Sequence, residues 1–132
     1  MERTMIPRYR AWDKIHKTMY EADDIVYINF EENQICVKTL FFERASRYDF
    51  DDVVLMQSTG FRDKNGKEIF EGDIVDSEDG IRSGIVGFRP DLGMFVSTLI
   101  KYNNFERLCN VASSRKIIGN TWEHPKLAEV SS

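Results

Sequence analysis

Leu55-Met56-Gln57-Ser58-Thr59-Gly60-Phe61-Arg62-Asp63-Lys64-Asn65-Gly66-Lys67-Glu68-Ile69-Phe70-Glu71-Gly72-Asp73-Ile74-Val75 is the stretch that decides how this chain folds. Val53-Val54-Leu55-Met56 leads into it as a strand of β-branched and apolar residues. Asp63-Lys64-Asn65-Gly66 is a hairpin signal, because asparagine and glycine both tolerate positive φ. Gly72-Asp73 breaks the chain again, and Ile74-Val75 begins a further strand. Acidic, basic and hydroxyl side chains occur here, yet none stands at the spacing a known reaction requires.

Outward from that stretch the pattern stays strand-like, with short runs between turn residues. On the N-terminal side, Arg8 to Trp12 alternates, and Lys17 to Tyr20 follows a polar break at Asp13-Lys14. Asp24 to Phe30 and Ile35 to Phe42 are rich in β-branched and aromatic residues and are expected to pair as a hairpin across Glu31-Glu32-Asn33. Glu43 to Asp52 is charged and irregular and reads as a loop or a short helix. On the C-terminal side, Gly84 to Phe88 reads as a returning strand, Met94 to Ile100 as a long strand, and Lys116 to Gly119 as the last of the series. Many short strands separated by Gly, Asn or Asp predict a small barrel or a pair of packed sheets. Glu71-Gly72-Asp73-Ile74-Val75 followed by Gly84-Ile85-Val86 has the rhythm of an SH3-like barrel, in which a Gly-Asp pair leads into the first barrel strand. The expectation is a mainly β protein of one domain. It comprises a small SH3-like barrel over residues 50–127 and an N-terminal β-hairpin appendage over residues 8–45.

A chain of 132 residues, 42% hydrophobic, is long enough to bury a substantial core. No run approaches the ~18 apolar residues of a membrane span, and Met1 to Arg10 lacks the apolar segment of a secretory signal. Cys36 and Cys109 lie far apart in apolar surroundings, which predicts buried free thiols in a reducing cytoplasm. The net charge of −4 conceals a gradient, since residues 1–20 carry five bases against two acids and residues 21–52 carry nine acids against three bases. An acidic domain with a small basic N-terminal segment is a poor general polyanion binder, because non-specific affinity comes from neutralised phosphates. Protein partners suit it better.

Several residues together carry a family resemblance. They are Arg10-Ala11-Trp12-Asp13, Leu55-Met56-Gln57 with Thr59-Gly60, the run Asp63 to Ile69 into Glu71 to Val75, and Ile118-Gly119-Asn120 with Glu123 and Pro125. The combination resembles the YopX family over about Tyr9 to Leu127. The resemblance implies a phage or prophage origin and an SH3-like barrel, and brings no established biochemical activity and no functional residues. Departures are mild: Ser58 stands where an aromatic is common, Phe61 where leucine is usual, and Trp122 where tyrosine is usual.

Candidate chemistry reduces to surfaces. Arg and Trp dominate interface hot spots, so Tyr9, Arg10 and Trp12 form one candidate binding edge. The alternative is a first hairpin whose Trp12 plugs the barrel while Arg10 and Asp13 face water. Arg62, Lys64 and Lys67 on the hairpin loop are the second candidate. A calcium loop is excluded because Lys64 and Lys67 intrude and Ile74 stands where the twelfth-position acid belongs. Glu71-Gly72-Asp73 is read as a turn in which Asp73 bonds neighbouring amides. Cys36, Cys109, His16 and His124 show no zinc spacing, and the glycines match no phosphate loop. No metal, cofactor or catalytic constellation is expected. Leu40-Phe41-Phe42 and Phe95 to Ile100 are apolar on both faces, which favours a homo-oligomer. The expected function is therefore a non-catalytic, self-associating interaction module of the bacterial cytoplasm, with a host or phage protein as partner and no membrane. The rival reading is a nucleic-acid-binding barrel using Arg8, Arg10, Lys14 and Lys17 with Tyr9 and Trp12.

Overall fold

A computed structural model describes residues 7–38 and 45–129. The chain is mainly β and divides into two compact units, Met1–Gln57 and Ser58–Ser132. No described helix is long and apolar enough to cross a membrane.

The first unit begins with strands β1 (Tyr9–Asp13) and β2 (Thr18–Tyr20), an antiparallel hairpin with Ala11 opposite Tyr20 and Asp13 opposite Thr18. Strands β3 (Ile25–Asn29), β4 (Gln34–Lys38) and β5 (Ala45–Asp49) form a three-stranded antiparallel sheet in that order. Strand β6 (Val53–Arg62) pairs along its first half with β1, from Asp13 opposite Val53 to Tyr9 opposite Gln57. The core consists of Ala11, Ile35, Val37 and Val53, ringed by Tyr20, Ile25, Ile28, Tyr48, Phe50 and Leu55. Strand β4, central in its sheet, buries Ile35, Cys36 and Val37 in succession, which is why it reads as a continuous apolar run rather than an alternating one.

Two expectations for this unit are corrected. The segment from Glu43 to Asp52 is neither a loop nor a helix over its described part: Ala45 to Asp49 is a strand, and Phe50 to Asp52 is a single 3-10 turn. Its charges sit on the outward positions of an alternating strand, while Ser46 and Tyr48 lie half-buried, so composition masked the period-2 pattern. Asp13 and Arg10 do not face water. Both are buried, Asp13 at a position paired with both β2 and β6, and Arg10 opposite Met56 of β6. The expected strand residues Leu40, Phe41 and Phe42 lie outside the described residues.

In the second unit the latter half of β6 pairs with β7 (Glu68–Phe70) across the Asp63-to-Lys67 turn. A five-stranded sheet then runs in the order β11 (Phe105–Arg107), β10 (Met94–Leu99), β9 (Gly84–Arg89), β8 (Asp73–Asp76), β12 (Lys116–Asn120). A short helix, α1 (Leu108–Val111), follows β11. Ile69, Val75, Val86, Leu108 and Ala112 form the core, with Phe61, Phe95, Val111 and Ile117 packed on it. Gly84 has a steric reason: a Cβ there would come within 1.9 Å of Ser97 Oγ on the neighbouring strand. The Asp73 carboxylate accepts the Phe70 amide at 2.8 Å, the turn-fixing role expected of it.

The thiols separate. Cys36 is buried as expected, whereas Cys109 is exposed. Leu-Cys-Asn-Val is a helical turn, so Leu108 points inward and its neighbour is rotated ~100° away.

Candidate functional site

The six residues singled out from sequence occupy two different places, three in each unit. Tyr9, Arg10 and Trp12 lie on β1, with Tyr9 half-buried and the other two buried. Arg62, Lys64 and Lys67 lie at the β6–β7 turn with exposed side chains. Arg62 donates to the Gly66 carbonyl at 2.9 Å and Lys64 to Glu78 Oε1 at 3.2 Å.

Between those last two basic residues sits Asp63, buried and accepting three backbone amides. Its Oδ1 takes Asn65 N at 2.9 Å and Lys67 N at 2.8 Å, and its Oδ2 takes Ile117 N at 3.0 Å on β12. Burial by itself raises a carboxyl, but these amides, Ile117 first, hold Asp63 below its ordinary value. The carboxylate therefore closes its own turn and ties it to the last strand of the sheet.

Asp13 does the corresponding work in the first unit. Fully buried, it accepts Ile15 N at 2.9 Å and His16 N at 3.0 Å on Oδ1. His16 Nδ1 lies 2.8 Å and Tyr20 Oη 3.2 Å from Oδ2. The Tyr20 and Tyr48 hydroxyls are 3.3 Å apart. Burial opposes the Asp13 charge, yet bonds from the His16 amide and ring and from Ile15 bring the carboxyl below its ordinary value. Tyr20 moves the opposite way: burial, then the Tyr48 hydroxyl and the Asp13 charge, push its phenol well up. An aspartate–histidine pair is half of a general-base arrangement. Here no nucleophile joins it through a described hydrogen bond, and the acceptor capacity of Asp13 is spent on its own hairpin. Among the described residues no group of three His, Cys, Asp or Glu is placed to hold a metal ion.

What sequence reading missed is the surface around β3. Val26, Tyr27 and Phe30 are 48%, 40% and 61% exposed. Phe30 meets the Tyr9 ring edge-on at 6.3 Å and the Phe50 ring at 5.8 Å. Beside them runs a groove of about 360 Å³ walled by Pro7, Tyr9, Ala22, Ile25, Ile28 and Phe30, with Arg8 at its rim. Arg8 pairs with Asp23 at 3.5 Å. An apolar concavity bordered by a few charges is the general form of a binding site. The signal available in sequence was Phe30, a large aromatic placed where the chain turns.

A family model described as YopX protein matches residues 8–129. The chain belongs to the YopX family. Among solved structures it is similar to protein EF1440 from Enterococcus faecalis, at 27% identity and TM-score 0.61, over 96% of this chain and 100% of that one. It is also similar in fold to protein yopX from Bacillus subtilis, at 22% identity and TM-score 0.60, over 91% of this chain and 96% of that one. No curated protein matches it. YopX membership accounts for the resemblance carried by Arg10 to Asp13 and by Asp63 to Val75. The first segment contains the buried Asp13, and the second contains the buried Asp63 and Asp73.

Proposed function

We propose that this YopX protein is a non-catalytic protein-interaction module, phage- or prophage-encoded and working in the bacterial cytoplasm, whose partner docks on the β3 surface of the first unit. One observation carries the reading: Val26, Tyr27 and Phe30 are exposed together beside an apolar groove. Exposed apolar side chains that cluster mark interaction surfaces, whereas single ones need no explanation. The free thiols Cys36 and Cys109 suit a reducing compartment. The strand order β11-β10-β9-β8-β12, with the last strand beside the first of the series, supports an SH3-like barrel as the scaffold of the second unit.

Self-association is part of the proposal and draws on a different surface, the β9–β10 turn, where Phe88 and Leu92 are 45% and 41% exposed. A two-bond Arg89–Asp91 pair, at 3.0 and 2.6 Å, stiffens that turn. A nucleic-acid surface on the N-terminal segment would have to manage without Arg10 and Trp12, which are buried, and no specific observation favours it.

The test compares proteins recovered from host cells by the natural chain and by a Val26→Ser/Phe30→Ser variant. A partner held by the first and lost by the second supports the reading, and recovery unchanged by the substitutions sinks it. Light scattering on the natural chain and on Phe88→Ser/Leu92→Ser tests self-association in the same way, the double variant being expected to lose mass per particle.

A further inference from the structure

Strand β3 is an edge, since it pairs with β4 and with no other described strand. An edge strand leaves one row of amides and carbonyls as a template for another chain. Folded proteins usually blunt such edges with lysine, proline, an inward charge or a bulge. Ile25-Val26-Tyr27-Ile28-Asn29 contains none of the first three. Its one irregularity lies between Ile25 and Tyr27, and from Tyr27 to Asn29 the register with Cys36, Ile35 and Gln34 is regular. The groove walled by Ile25, Ile28 and Phe30 lies alongside, so main-chain pairing and a side-chain anchor are available at one place.

Charge selects what can pair there. Asp23 and Asp24 stand before the strand, and Glu31 and Glu32 stand after it. Antiparallel pairing with the same strand of a second copy, centred on Tyr27, sets Asp23 opposite Glu31 and Asp24 opposite Phe30. Each end of that ribbon gathers two aspartates from one copy and two glutamates from the other, and like charges facing across strands are destabilising. A strand carrying lysine or arginine beyond both ends meets opposite charge at both. Within the chain Arg8 already makes such a contact with Asp23.

We propose that the β3 edge takes an extended peptide segment, apolar at its centre and basic at both ends, as an added strand of the β3-β4-β5 sheet. This rests on the interaction-module reading and supplies the class of its partner. The test is NMR and calorimetric titration of the full chain with the synthetic peptide Lys-Lys-Val-Thr-Val-Thr-Val-Lys-Lys. Amide shifts are expected at residues 25–30, with affinity falling about tenfold as salt rises from ~50 to ~500 mM. The same peptide with glutamate for lysine is expected not to bind. An Asp24→Lys/Glu31→Lys/Glu32→Lys variant, its fold checked by circular dichroism, should invert that preference. N-methylation of the central peptide amides should abolish binding, because it removes the ladder donors. Absence of shifts at residues 25–30, full binding by the N-methylated peptide, or an unchanged preference in the triple variant would each overturn the inference. Failure here and failure of the broader reading are separable. A cellular partner lost on Val26→Ser/Phe30→Ser, with β3 untouched by the peptide, leaves an interaction module that does not work by strand addition.

Discussion

Two hairpin turns in this molecule begin with the same letters and reach the same end by different routes. Asp13-Lys14-Ile15-His16-Lys17 closes β1 onto β2, and Asp63-Lys64-Asn65-Gly66-Lys67 closes β6 onto β7. In each, a buried aspartate accepts amides from its own turn. The second turn adopts its left-handed residue with a glycine, Gly66 at φ 82°, whereas the first does so with a lysine, Lys17 at φ 54°. Asp63 spends its second oxygen on a distant strand, at Ile117 N. Asp13 spends its second oxygen on side chains, those of His16 and Tyr20. One carboxylate therefore anchors backbone to backbone across the second unit, and the other seats a polar cluster within the first.

The largest test of that contrast is Asp63→Ala. It strands three amides around a buried position, and a loss of about 3 kcal/mol is expected in urea unfolding, where an orphaned buried donor costs about 1–3 kcal/mol. Ile117 amide exchange should accelerate in the same variant. Asp13→Ala should lose less, about 2 kcal/mol, because it strands two backbone amides rather than three. If Asp13→Ala proves the more damaging, the distinction between backbone anchor and side-chain seat is wrong.

Acid provides the next test. Both carboxyls lie below their ordinary values when folded, so each contributes stability that is fully present above the unfolded value of about 3.9. That contribution is lost as pH falls through the lower folded values. Urea midpoints should therefore decline below about pH 4, and Asp13→Asn/Asp63→Asn should flatten the decline while lowering stability near neutrality.

The smallest effects come from the left-handed residues. A Cβ at Gly66 meets nothing within 4 Å, so Gly66→Ala isolates backbone strain and should cost about 1 kcal/mol. Lys17→Gly should relieve strain but enlarge the unfolded ensemble, leaving a gain of about 0.5 kcal/mol or less. A gain as large as the Gly66→Ala loss would mean that Lys17 makes no use of its side chain in the turn.

These pairs also mark what was legible. The Asp63 turn was readable because Asn65 and Gly66 state their backbone conformations locally. The Asp13 turn was readable only as a polar break at Asp13-Lys14; the side chains its aspartate gathers were not, since they include Tyr20 and, through it, Tyr48, which lies 28 residues further along the chain. Arg10 was expected in water in the reading that made Trp12 a plug, since charged side chains are mostly solvated. It is buried on β1, opposite Met56 of β6. The β3 surface escaped notice for the converse reason. Its residues have the composition of a core strand, and only their position at the edge of a sheet exposes Val26 and Tyr27.

By itself the sequence determined the strand-rich class, the family signature and the turn after Asp63, all properties of residues within a few positions of one another. The run from Leu55 to Val75 belongs to that class of information, since its hairpin and its Gly-Asp break are local choices of φ and ψ. Only the tertiary structure decided which strands became edges, which charges were buried and which aromatic rings met at a groove. Those depend on pairing between distant segments, and a strand buried at the centre of a sheet and one exposed at its margin are written with the same β-branched and aromatic residues.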